Sequence, residues 1–153
     1  MTTEQEEVQV NYFAICDLVI TEAGSSKQSI IGIYTALMTD RIPSEEAPVV
    51  HNFSVAIGLR VQSATPRDLT FRLTGPDGKV VFTTPAIPYN WDVVQQGLER
   101  MGFAAVQMGL NLRQIPLKVL GIYTAALFCN GAVIATHPVL LNLGPGPGAP
   151  PQE

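Results

Sequence analysis

The sequence predicts an all-β fold: a single antiparallel two-sheet sandwich of about eight strands. Two kinds of observation carry that prediction. Asp77-Gly78 and Asn130-Gly131 each stand between runs of alternating apolar residues, and such dipeptides supply the positive φ that type I′ hairpin turns need. Alternation at period two also recurs along most of the 153 residues, with turn-forming residues between the runs.

The elements follow in order. Residues 1–9 read as a disordered acidic tail and Val10 to Ile20 as the first strand. Both faces of that strand are apolar, which marks a central or covered strand. Asp17 is its lone charge, so burial is expected to raise its pKa unless it is hydrogen-bonded. Ser29 to Leu37 reads as the second strand, paired with the first as a hairpin. Val49 to Gln62 is the longest, with Phe53, Val55, Ile57, Leu59 and Val61 on one face. Leu69 to Thr74 and Lys79 to Thr83 flank Asp77-Gly78.

Pro85 and Pro88 interrupt the pattern, since proline cannot donate to a ladder. Trp91, Val94, Leu98 and Met101 then fall at helical spacing behind Asn90, a good N-cap, so residues 89–101 are expected to form a short helix or an ordered loop. Alternation returns from Phe103 to Arg113, and Ile115-Pro116-Leu117 reads as a bend. Gly121 to Cys129 and Ala132 to Leu143 form the last hairpin. The domain therefore spans 10–143, and 144–153 is a disordered Gly/Pro-rich tail. Inward positions include Val55, Ile57, Leu59, Leu69, Phe71, Leu73, Val106, Met108, Leu110, Tyr123 and Leu127. The sandwich is expected to be immunoglobulin-like or C2-like.

Composition narrows the function. The net charge is −4, and the nine basic residues are scattered. Phosphate binding needs clustered Lys and Arg, so nucleic acid and anionic membrane partners are not expected. The first residues are acidic and polar, unlike a secretion signal, which makes the cytoplasm the expected compartment. Cys16 and Cys129 each lie in an apolar strand and read as buried free thiols there.

Chemistry-bearing motifs are sparse. His51 and His137 form no HxH or HxxxH pair, and no CxxC, GxSxG or phosphate-cradling glycine loop occurs. Asp40, Asp77 and Asp92 are the calcium candidates, yet no D-x-D pair occurs and Asp77 is explained by its turn. No catalytic residue, metal or cofactor is expected.

Phe13-Ala14-Ile15-Cys16-Asp17, Ile31-Gly32-Ile33-Tyr34, Pro76-Asp77-Gly78 and Gly121-Ile122-Tyr123 with Asn130-Gly131 resemble a family of small uncharacterised bacterial proteins, over about residues 12–143. The resemblance implies a β-sandwich and carries no activity with it.

Charged residues make up 14% of the chain, against roughly 25% in a typical domain. A sandwich so poor in charge either solvates its faces with Thr, Gln, Asn and Ser or buries one against another chain. The expectation is a non-enzymatic interaction or assembly module whose partner is a protein, a second copy included. The expected surface is a flat face of small residues, Ala56, Gly58, Ala105 and Gly109. The alternative is a small-ligand or carbohydrate-binding sandwich that uses Tyr89 and Trp91 as a stacking platform.

Overall fold

The computed structural model describes residues 7–23 and 27–144. The expected tails at 1–6 and 145–153 lie outside the described residues. The strands are β1 (Val8–Cys16), β2 (Leu18–Thr21), β3 (Gln28–Ile31), β4 (Ala36–Thr39), β5 (Val49–Val61), β6 (Leu69–Thr74), β7 (Val80–Thr83), β8 (Ala104–Leu117), β9 (Gly121–Cys129) and β10 (Ala132–Leu143), with helix α1 (Trp91–Met101) between β7 and β8. They form a three-stranded sheet β1-β5-β8, a five-stranded sheet β4-β10-β9-β6-β7 and a small sheet β2-β3.

Among the described residues ten strands stand where eight were expected, because each of the first two breaks. The first breaks at Asp17, whose backbone N–H donates to Ile31 O (3.0 Å) and Gly32 O (3.3 Å). A carboxylate is costly to bury, and the chain leaves the sheet where the charge stands. Asp17 is exposed, which corrects the expectation of a buried carboxylate. Opposite it, Gly32 takes φ 69°, and a Cβ there would sit 2.2 Å from Asp17 Oδ2. The second strand breaks at this glycine. Only β2 and β3 keep the expected hairpin, while β1 joins one sheet and β4 the other. β4 pairs parallel with β10, from Ala36 opposite Leu140 to Thr39 opposite Leu143, so the sandwich is not wholly antiparallel. β1 begins at Val8, before the expected Val10, and Glu7 forms an ion pair with Arg67.

The inner faces meet as the alternation predicts. Val55, Ile57, Leu59, Leu69, Phe71, Leu73, Val106, Tyr123 and Leu127 are buried. Met108 and Leu110 are only half-buried, because β8 is an edge strand. Phe13 of β1 tilts against Phe71 of β6 across the two sheets, with ring centroids 6.2 Å apart. β8 continues through the expected bend at Ile115-Pro116-Leu117, where a register shift between His51 and Phe53 and a positive φ at Gln114 (55°) absorb the irregularity.

The two turns differ. Asn130 (φ 49°) and Gly131 (φ 82°) are both left-handed, as a type I′ turn requires. At the other, Gly78 N–H donates to Gly75 O and only Gly78 (φ 79°) is left-handed. That is a three-residue loop, a type I turn closed by a glycine bulge, because Pro76 presets the first corner. Helix α1 forms as expected. Asn90 Oδ1 accepts from Asp92 N (3.1 Å), and Gly102 (φ 75°) donates back to Leu98 O (2.8 Å). Val94 enters the core, and the helix packs on β8.

A buried tyrosine locks the corner before β9. Tyr123 Oη donates to Val119 O (2.7 Å) and accepts from Val119 N (3.2 Å). This is the tyrosine corner of immunoglobulin-like sandwiches, and the strand orders match their A-B-E and G-F-C-C′ layout with β4 added at one edge. The fold is therefore immunoglobulin-like. Among the described residues no helix is long and apolar enough to cross a membrane.

Candidate functional site

The small-residue face expected to be open is covered within the chain at Ala56 and Gly58 and exposed at Ala105 and Gly109. It is the outer face of β1-β5-β8, where Tyr12 stands opposite Gly58, and Ala14, Ala56 and Gly109 share a rung. Ala56 and Gly58 are buried. The Tyr12 ring lies over Gly58, and a Cβ there would be 2.2 Å from Tyr12 Cε1. Tyr12 Oη donates to Gln28 Oε1 (2.7 Å) of β3, which ties the β2–β3 hairpin down. Val19 of β2 covers Gly109, with its Cγ1 3.0 Å from where a Cβ would be. The glycines admit these intramolecular covers. Ala105 and Gly109 keep solvent contact, while Ala105 pairs with Arg60, whose guanidinium lies 4.3 Å from the Phe103 ring centroid.

Tyr89 and Trp91 do come together. Their rings meet edge to face at 5.4 Å and 77°, and both are half-buried against the core. Burial pushes the Tyr89 phenol pKa up. The two rings thus pack partly against the core.

Cys16 and His137 are held in structural contacts, whereas His51 Nε2 is buried without a hydrogen-bond partner. Cys16 Sγ donates to Ser54 O (3.5 Å), and burial together with the Asp17 charge raises its pKa, which disfavours the nucleophilic thiolate. Cys16 and Cys129 are both buried and are not joined in a disulfide. His137 Nε2 lies 3.3 Å from Tyr34 O, and burial lowers the pKa of His51. No cluster of three or more His, Cys, Asp or Glu able to hold a metal occurs among the described residues. A cleft of about 140 Å³ opens beside Tyr123, rimmed by Glu45, Asp77, Lys79 and Lys118. Lys118 Nζ donates to Glu45 Oε1 (2.7 Å), and this bond and charge lower the Glu45 pKa. Lys79 Nζ stands 3.9 Å from Asp77 Oδ2 on the same rim.

The five-stranded sheet presents a different surface. Its strands carry a single charged residue besides His137, namely Arg72. Register places Ile122, Thr124, Ala126 and Phe128 of β9 outward, beside Thr136, Pro138 and Leu140 of β10 and Thr70, Arg72 and Thr74 of β6. Ile122 is 59% exposed, Met38 53% and Leu140 37%. The Arg72 guanidinium lies over Phe128, 4.5 Å from the ring centroid, and its Nε is buried without a hydrogen-bond acceptor. The β2–β3 hairpin covers the other sheet, whereas no described element packs across this face.

Residues 11–142 match the profile of DUF6941, a family of unknown function. The chain belongs to that family. An immunoglobulin-like protein from Pseudomonas aeruginosa is similar to this DUF6941 chain at 15% identity and a TM-score of 0.42, over 91% of this chain and 99% of that one. No curated protein matches it.

The outer face of the five-stranded sheet was not singled out from sequence, although its signal was there. With Tyr123 and Leu127 placed inward, period two puts Ile122, Thr124, Ala126 and Phe128 outward, and none is charged. Small residues drew attention to the other sheet instead, where a tertiary cover takes their place.

Proposed function

We propose that this DUF6941 domain is a non-enzymatic protein-interaction module that docks through the outer face of β4-β10-β9-β6-β7. One observation carries the reading. Five strands contribute one charged side chain to that face, and it is folded onto Phe128 while Ile122, Met38 and Leu140 stand exposed. A sheet face kept in water normally alternates polar and charged residues outward, and a broad uncharged one is a surface suited to a partner. The quiet chemistry elsewhere agrees with it: Cys16, Tyr123 and His137 are occupied in backbone contacts. Buried thiols without a disulfide suit a reducing compartment, and the proposal includes a cytoplasmic location.

Photo-crosslinking in the source cells tests the face. A benzoylphenylalanine replacing Thr124 should form protein adducts, and one replacing the exposed Glu99 on α1 should not. Adducts from 99 with none from 124 would refute docking through this sheet.

A further inference from the structure

We infer that the partner on this face is a second copy of the chain, joined sheet to sheet about a two-fold axis through the central strand β9. The inference rests on the docking face proposed above and names its occupant.

Size permits it. Strands of four to twelve residues, at ~3.4 Å per residue and ~4.8 Å between strands, give a planar footprint on the order of 600 Å². Corrugation by side chains raises the accessible area further, toward the ~800 Å² per partner of a standard interface.

Chemistry favours a copy over an unlike partner. The face carries an apolar rung, Ala36, Leu140 and Ile122, and hydroxyls at Thr70, Thr74, Thr124 and Thr136. An isologous contact needs one patch that complements itself. Hydroxyls both donate and accept, so a threonine face can satisfy itself, whereas a face rich in one charge cannot. The single charge stands off the axis. Arg72 is on β6, one strand from β9, so a two-fold sets the two guanidiniums on opposite sides of the centre. Each guanidinium stays over the Phe128 ring of its own chain, and its buried Nε takes no part in the contact. Thr124 lies near the axis and faces its own counterpart.

The proposal has a salt signature. Its interface charges are alike, and each chain carries a net −4. Screening therefore strengthens self-association, or leaves it unchanged. A partner held by a carboxylate on Arg72 would instead weaken as salt rises.

Sedimentation of the full chain at micromolar to hundred-micromolar concentration decides it. The wild type should run at twice the 16.5 kDa chain mass, with a dissociation constant that falls or holds as NaCl is raised. Thr124→Arg opposes two new cations at the centre and should raise that constant at least about 100-fold, since like charges across an interface cost several kcal/mol. Ile122→Lys, at a site 59% exposed, gives the same reading if Thr124→Arg melts early. Glu99→Arg should leave the mass unchanged. A wild type that stays at 16.5 kDa overturns the second copy, and if residue 124 still crosslinks to another protein the docking face stands without it. A dimer that survives both face variants, or that dissociates with salt, overturns the inference and moves the interface elsewhere.

Discussion

Tyr123→Phe isolates the corner that holds the start of β9. The ring is 2% exposed and packs among core side chains that the substitution leaves in place. What is lost is the hydroxyl, which donates to Val119 O at 2.7 Å and accepts from Val119 N at 3.2 Å. Each such bond contributes about 1 kcal/mol net, and a group left without a partner costs more where water cannot reach it. Val119 is 39% exposed, so water recovers part of the loss at its peptide. The expected destabilisation is about 2 kcal/mol, which for a chain of this size lowers Tm by roughly 4–8 °C. Urea unfolding reads it directly: the midpoint should fall while the slope m stays constant, because the same surface is exposed on unfolding. The corner also sets where β9 begins, and the next residues, Ile122 and Thr124, face outward on the proposed docking surface. Hydrogen exchange should accordingly quicken at 119–124 before it does in β5. A loss under ~0.5 kcal/mol would refute the corner as a support and assign Tyr123 to core volume alone.

Two further outcomes follow from the packing and the titration behaviour. Gly58→Ala puts a methyl group 2.2 Å from Tyr12 Cε1, so the ring must leave and the Gln28 bond breaks; the cost should be about 1–3 kcal/mol. In a Tyr12→Ala background the same change should cost under ~0.5 kcal/mol, and equal costs in both backgrounds would show that the ring is not the obstacle. Burial, then the charges of Asp17 and Cys16, push the Tyr34 phenol up to about 12. The folded state thus favours the neutral phenol, and its contribution is complete below the ordinary tyrosine value near 10 and is lost as pH rises through about 12. Spectrophotometric titration of wild type against Tyr34→Phe checks this, and a difference spectrum with its midpoint near 10 counts against it.

Much of the architecture was legible because it is written locally. A period of two along β5, β6 and β9 assigns the core face residue by residue, and Asn130-Gly131 and the Asn90 cap act within a few positions of themselves. Other features depend on what lies far away in the chain. The break at Asp17 is fixed by a meeting with Gly32, the parallel seat of β4 by β10 some hundred residues later, and the contacts over Gly58 and Gly109 by Tyr12 and Val19. The turn at Asp77-Gly78 shows the same division, since a dipeptide signals a hairpin but Pro76 and the pairing beyond it choose the turn type. The sequence by itself determined the sandwich, its core and its family, because alternation, turn residues and shared motifs are one-dimensional. Only the tertiary structure decided which face is open. Both outer faces are short of charge as read in sequence, and a hairpin that folds over one of them leaves the other bare.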